Sequence, residues 1–251
     1  MINILIPIAG NSPFFEENQA SYPKPLFEIK GLPMIQRALE TFDSIQEKKR
    51  FIFVVKKRHC DKYHLDNTLR LLTENSCEIV VQDGDTKGAV CTCLLAIEKI
   101  DNSVPLIVSN GDQIIDVDMQ DILDGFKERK ADAGVITFDS VHPQWSYAKV
   151  DHSGLIVEVA EKNPISRNAI AGFYYYSRGS FFIEASMATI LKGAKVNDLF
   201  YISPSMNELV LDGKKVVHYS LSPDQYHSFY SLDRVRDYER RLGKRENGSS
   251  K

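Results

Sequence analysis

The chain has 251 residues, with 31 Lys+Arg against 34 Asp+Glu for a formal charge of −3, and is 43% hydrophobic and 26% charged. That length can bury a large core as one large domain or two small ones, and the near-neutral balance argues against a dedicated nucleic-acid binder, which would carry a basic excess. No apolar run approaches the ~18 residues of a membrane span, no basic stretch opens the chain, and the cysteines (Cys60, Cys77, Cys91, Cys93) are too few and irregular for a disulfide framework. The expectation is a soluble protein of a reducing, cytoplasmic compartment that binds neither nucleic acid nor membrane.

Residues 3–8 are apolar, β-branched and punctuated at Gly10, the pattern of a buried strand. Residues 33–47 put Met34, Ile35, Ala38, Leu39, Phe42 and Ile45 on one helical face, with Pro33 near the first turn. Strands follow at 51–55, 78–82 and 104–109, and helices at 58–73 and 87–100. This alternation predicts an α/β fold with a Rossmann-like, mostly parallel sheet. Such sheets bind ligands at the carboxyl ends of their strands, here the loops after Ile8, Gln82 and Val108.

From 133 to 177 the pattern changes to short strand-like runs at 134–138, 146–151, 155–159 and 169–176. They predict β structure folded over one side of the core, which could bind an acceptor or support a homo-oligomer. Helices are expected at 179–192, 203–212 and 232–242, a strand at 215–220, and a frayed polar tail over 243–251.

The usual nucleotide fingerprints, G-x-G-x-x-G after the first strand and G-x-x-x-x-G-K-[ST], are absent, as are H-E-x-x-H, zinc-type His/Cys spacing and the G-x-S-x-G elbow. Cys91-Thr-Cys93 sits in a predicted helix, where i and i+2 face apart, and reads as buried small hydrophobes. Four fragments remain. Ala9-Gly10-Asn11-Ser12 follows the first strand, where a small-residue turn lets backbone N–H groups approach phosphate. In Pro23-Lys24-Pro25 the lysine is a fixed positive charge, although such a tripeptide alone is more often a stiff surface turn. Asn110-Gly111-Asp112-Gln113 sets a carboxylate just past a buried strand, which suits a hard cation carrying phosphates or a simple turn. Glu161-Lys162 and Asp233 read, in isolation, as a solvated charge pair and a helix N-cap.

Taken in order, strand–Ala-Gly–loop–Pro-Lys-Pro-Leu, strand–Gly-Asp, Glu-Lys, and Asp before a closing helix resemble the nucleoside-diphosphate-sugar pyrophosphorylase (nucleotidyltransferase) family over residues 3–240. The resemblance is closest to capsule-type members, through Ile6-Pro7-Ile8-Ala9-Gly10, and the Leu232–Tyr238 ending is similar to that of phosphocholine cytidylyltransferases. It implies a GT-A-like fold in one domain over 1–242. That domain would comprise a nucleotide-binding core (1–130), an acceptor-binding part (131–220) and a closing helix region (221–242). The implied reaction joins an NTP, CTP favoured, to a phosphorylated small molecule for capsule or cell-surface polysaccharide synthesis. The acceptor would be a sugar phosphate or a non-sugar such as phosphoglutamine, and pyrophosphate would be released.

The resemblance also implies residue roles. Asp112 and Asp233 would hold Mg²⁺, Lys24 would neutralise the α-phosphate and departing pyrophosphate, and Lys162, beside Glu161, would grip the acceptor phosphate. Ala9, Gly10, Asn11, Ser12 and Gly111 would line the nucleotide, Gln82 and Gly88 would lie near its base, and Gly172 would leave room for the acceptor. The family loop usually reads Gly-x-Gly-x-Arg, but here those positions fall on Ser12 and Phe14, and residues 1–23 contain no Lys or Arg. Lys87 is the candidate replacement clamp. Two other readings stay open: a GT-A-type glycosyltransferase using Asp116-Val-Asp118, and a catalytically impaired nucleotide-binding subunit.

Overall fold

The structure, a computed structural model, describes residues 1–10 and 22–248, with 244–248 as backbone alone. The first strand, β1 (Ile2–Pro7), is followed after Lys24–Leu26, a single 3₁₀ turn, by the hairpin β2 (Glu28–Ile29) and β3 (Leu32–Pro33) and helix α1 (Met34–Leu39). Next come β4 (Lys49–Lys56), α2 (Lys57–Tyr63), α3 (Leu65–Leu72), β5 (Cys77–Gln82), α4 (Ala89–Leu94), α5 (Ile97–Ile100) and β6 (Leu106–Ser109). The second half carries β7 (Gln113–Ile115), α6 (Met119–Glu128), β8 (Ala133–Asp139), β9 (Ser146–Val150), β10 (Ile156–Glu161) and β11 (Asn168–Tyr176). It ends with α7 (Gly179–Leu191), α8 (Ser205–Leu211), β12 (Val216–Ser220), β13 (Tyr226–Ser228) and α9 (Leu232–Gly248).

Nine strands form the main sheet along β10-β9-β11-β6-β1-β4-β5, with β8 pairing β11 and β12. The α/β expectation holds, since β6, β1, β4 and β5 run parallel as one side of the sheet. Alternation along β1 sends Ile2, Ile4 and Ile6 into one core with Ile35, Leu69, Ile122 and Phe126, and Leu5 into a second with Val90, Ile100, Phe182 and Met206. Helices therefore cover both faces, which is why these strands read as near-continuous apolar runs. A third, smaller cluster joins Ile29, Met34, Ile114, Phe229, Val235 and Tyr238, docking α9 against the hairpin and the β7–β13 pair.

Several expectations change. The 133–177 segment does not fold over the core; β11 pairs antiparallel with β6 and extends the same sheet, because its apolar runs continue the two-sided burial. The helix expected over 58–73 breaks at His64, whose left-handed backbone (φ 53°) turns the chain between α2 and α3. The one expected over 87–100 divides into α4 and α5, and that over 33–47 passes into a 3₁₀ turn at Glu40–Phe42. Helix α6 was not expected, although Met119, Ile122, Leu123 and Phe126 have helical spacing and Asp118 caps it by accepting from Gln120 N (2.9 Å) and Asp121 N (3.4 Å). Helix α9 runs past 242 to Gly248 instead of fraying, because Arg, Lys and Glu in that stretch are good helix formers.

Leu5, fully buried between two neighbouring strands in the second core, gives a direct test of this core. Leu5→Ala should cost about 2–5 kcal/mol in urea unfolding, whereas Leu71→Ala, 77% exposed on α3, should stay within about 0.5 kcal/mol of the wild type.

Candidate active site

The chain leaves β1 toward β4 and β5 on one side, and later enters β6 on the other. Loops after β1 and β6 therefore diverge, and a cleft of about 990 Å³ opens at their carboxyl ends. Its floor and near wall come from Pro7, Ile8, Gly10, the Tyr22–Pro25 turn and the α2 face with Arg58, His59, Lys62 and Tyr63. Its far wall comes from Trp145, Ser146, Glu161, Gly172, Tyr174, Tyr201 and Tyr226.

At the centre, Lys24 Nζ meets Asp112 Oδ2 at 2.5 Å, joining two loops 88 residues apart. Both side chains are largely shielded, at 15% and 30% exposure, so solvent screens this pair less than a surface one. Asp112 is held by its backbone, its carbonyl accepting from Phe229 N at 2.8 Å. Gly111 beside it has a packing reason to be glycine: a Cβ there would sit 2.5 Å from Ile8 Cγ2 and 3.1 Å from Ile6 Cγ2. The missing side chain thus lets the Asp112 turn press onto β1.

Gly172 is the counterpart on β11. Its φ of +58° interrupts the β8–β11 register, and its carbonyl accepts from Asn110 N (3.0 Å) and Gln113 Nε2 (3.0 Å). The space its missing Cβ leaves is taken by the Asn110 and Gln113 side chains, so it orders the Asp112 loop as well as lining the cleft. Gln113 Oε1 accepts from the Tyr226 hydroxyl at 3.2 Å, and burial, with the Asp112 carboxylate adding to it, pushes the Tyr226 phenol well above its usual range.

On the far wall, Glu161 Oε2 accepts from the hydroxyls of Ser146 and Ser203, the latter at 2.6 Å. Burial and that carboxylate push the neighbouring Tyr174 phenol up. Lys162 adopts a left-handed backbone (φ 56°) at the end of β10, its N–H donating to Trp145 O (3.0 Å) and its ammonium to the Tyr201 hydroxyl (2.6 Å).

The structure thus gathers Gly10, Lys24, Gly111, Asp112, Glu161 and Gly172 around one cleft and sets Lys162 behind Tyr201. Ala9 is buried beneath it, and Asn11 and Ser12 lie outside the described residues. Four expected members lie elsewhere. Lys87 is exposed and does not line the cleft; its backbone carbonyl instead accepts from Phe200 N at 2.8 Å. Gly88 gives that same close approach, since a Cβ would run into the Phe200 backbone. Gln82 is buried under its own loop, Nε2 donating to Gly84 O (3.0 Å), with no partner for Oε1 among the described residues. Asp233 is 86% exposed at the start of α9, 3.5 Å from Arg236, and faces a separate shallow depression. Only one carboxylate of the expected metal pair is therefore in the cleft, and no group of three or more His, Cys, Asp or Glu gathers among the described residues. Asp112 suits a hard cation that takes its other ligands from phosphates and water, but Asp233 does not fit in this arrangement.

The D-x-D reading also loses its second acid, because Asp118 is the cap of α6. As expected, Cys93 is buried and its thiol pushed up, so it is inert packing. The α2 face and the aromatic far wall went unrecognised in the sequence. The basic pair at 58 and 62 reads as a solvated helix face, and Trp145 gives no periodic signal.

A nucleotidyl transferase family model matches residues 20–218. Among solved structures, the nucleoside-diphosphate-sugar pyrophosphorylase from Vibrio cholerae RC9 superposes with a TM-score of 0.80 at 22% identity, over 96% of this chain and 100% of that one. A UDP-glucose pyrophosphorylase complexed with UDP-glucose gives 0.76 at 18% identity, over 98% and 100%. No curated protein matches the sequence. No helix among the described residues is long and apolar enough to cross a membrane.

Replacing Gly172 tests the loop geometry. Gly172→Ala should lose about 1–3 kcal/mol in denaturant unfolding, from its positive φ and the collision with Asn110 and Gln113. An unchanged midpoint would show that those two side chains can give way.

Proposed function

The chain belongs to the nucleotidyl transferase family, of the sugar-phosphate NTP-transferase type, and from that premise we propose that it transfers a nucleotidyl group from CTP to a phosphorylated small molecule, with release of pyrophosphate, in capsule or cell-surface polysaccharide assembly. The carrying observation is the Lys24–Asp112 pair at the centre of a cleft whose two walls can hold two substrates. Its volume, about 990 Å³, suits a nucleotide with a small partner.

The chemistry asks little of acid–base catalysis. An acceptor phosphate oxygen, already anionic, attacks the α-phosphorus; a new P–O bond forms as the bond to the β-phosphate oxygen breaks, and pyrophosphate leaves with the electron pair. The difficulty is bringing two polyanions together and stabilising charge on the α-phosphoryl and leaving group, which fixed cations accomplish by position and field. Lys24 does this at the α-phosphate. Ala9 and Gly10, just past the end of the first strand, approach the nucleotide. Glu161 and Lys162 orient the acceptor. Enzymes of this family generally use a divalent metal; Mg²⁺, taken by Asp112, would supply further neutralisation of the phosphates. Both a sugar phosphate and a non-sugar such as phosphoglutamine meet these requirements.

A pyrophosphate-release screen of four NTPs against sugar 1-phosphates, phosphocholine and phosphorylated amino acids tests the reading, which expects release with CTP and one acceptor class; no release with any pair would overturn it. In the active pair, Asp112→Asn should lower turnover by at least about 100-fold with unfolding unchanged. Lys24→Ala should mainly lower kcat, and Lys162→Ala should mainly raise the acceptor KM; the reverse split would exchange their roles.

A further inference from the structure

The two walls of the cleft differ in charge. The lysines and arginine that line it, Lys24, Arg58 and Lys62, all lie on the near wall, while the far wall presents Glu161 among aromatic rings. Arg58 and Lys62 are spaced i,i+4 on α2, so they share one helix face. That helix starts directly from the buried end of β4 and is fastened at both ends. At its start, Lys56 pairs with Asp85 (2.9 Å) and Lys57 with Asp83 (3.1 Å), tying it to the loop after β5. At its end, the Tyr63 ring packs edge-on to Tyr22, with centroids 5.9 Å apart, immediately before the Pro23-Lys24-Pro25 turn. His59, buried on the same helix, packs edge-on to Tyr63, with ring centroids 6.4 Å apart. The aromatic contact therefore sets the cationic face of α2 beside Lys24.

We propose that Arg58 and Lys62 bind the β- and γ-phosphates of the NTP and the pyrophosphate formed from them. This rests on the nucleotidyl-transfer reading. Residues 1–23 contain no Lys or Arg, so the loop after β1 brings no cation to the polyphosphate ahead of Lys24. The near wall brings two from a different element. A guanidinium offers a planar fork to two phosphate oxygens and an ammonium adds a point charge, so the pair suits a terminal phosphate with several oxygens. Their charge also favours the products' side of the step, because negative charge accumulates on the leaving pyrophosphate as the bond to the α-phosphorus breaks.

Inorganic pyrophosphate and tripolyphosphate, titrated calorimetrically with Mg²⁺ present, test this without knowledge of base or acceptor. Arg58→Gln and Lys62→Gln should each weaken binding by about tenfold. Lys57→Gln, which removes the same charge from the same helix but outside the cleft, should change it less than about twofold. Circular dichroism should show all three variants folded, as these side chains are exposed. If the wild type binds both anions and the Arg58 and Lys62 variants bind them equally well, or if Lys57→Gln weakens binding as much, the assignment to this face is wrong. If the wild type binds neither anion, the nucleotidyl-transfer reading falls together with it.

Discussion

A strand with parallel neighbours on both edges and helices on both faces has its backbone fully paired and its side chains fully buried, so it cannot shift register without exposing one core or the other. β1 is such a strand: it pairs with β4 and β6, and Ile4, Leu5 and Ile6 are all fully buried. The cleft depends on that rigidity. Because the strand order reverses at β1, its loop and the loop after β6 part from each other there, and a groove at their carboxyl ends is a geometric result. The residues that meet across the groove, Lys24 and Asp112, inherit their positions from it.

The glycines around the site show how close packing defines the loops. Gly111 lets the Asp112 turn touch β1, and Gly172 gives up both its side chain and an ordinary φ so that Asn110 and Gln113 can lock the same turn from the other side. Asp112 is thus held between two strands by backbone contacts while its carboxylate faces the cleft, paired with Lys24. On the proposed reading, in which this carboxylate meets transferring phosphates, it gains from being ordered before substrate arrives, since ordering it afterwards would cost conformational entropy at the moment of reaction.

Much of this was legible in the residues. The period-two burial of β1, the small-residue turn after it, the rigid Pro-Lys-Pro and the strand-terminal Gly-Asp are local signals, and their order along the chain is specific even though each is weak. Signals of the same local kind misled elsewhere. Asp116-Val-Asp118 resembles a metal motif, yet Asp118 caps a helix that buries Met119, Ile122, Leu123 and Phe126. Lys87 was a reasonable substitute cation by sequence position, but backbone pairing with Phe200 turns that segment toward a different neighbour. Asp233, expected before the closing helix, lies within its first turn, and the packing of Val235 and Tyr238 against the hairpin leaves it facing solvent.

By itself the sequence determined the α/β class and the strands β1, β4, β5 and β6, because apolar periodicity, glycine and proline act on their own neighbours in the chain, whereas Lys24, Asp112, Glu161 and Lys162 stood out only through the order of weak motifs and the family resemblance. Which cations face those residues was decided only by tertiary structure. Arg58 and Lys62 carry no local mark that separates them from any solvated basic helix. They reach the cleft because β4 lies beside β1 and because Tyr63 packs against Tyr22. Such contacts join residues some 40 apart, and no pattern within either segment encodes the other's place.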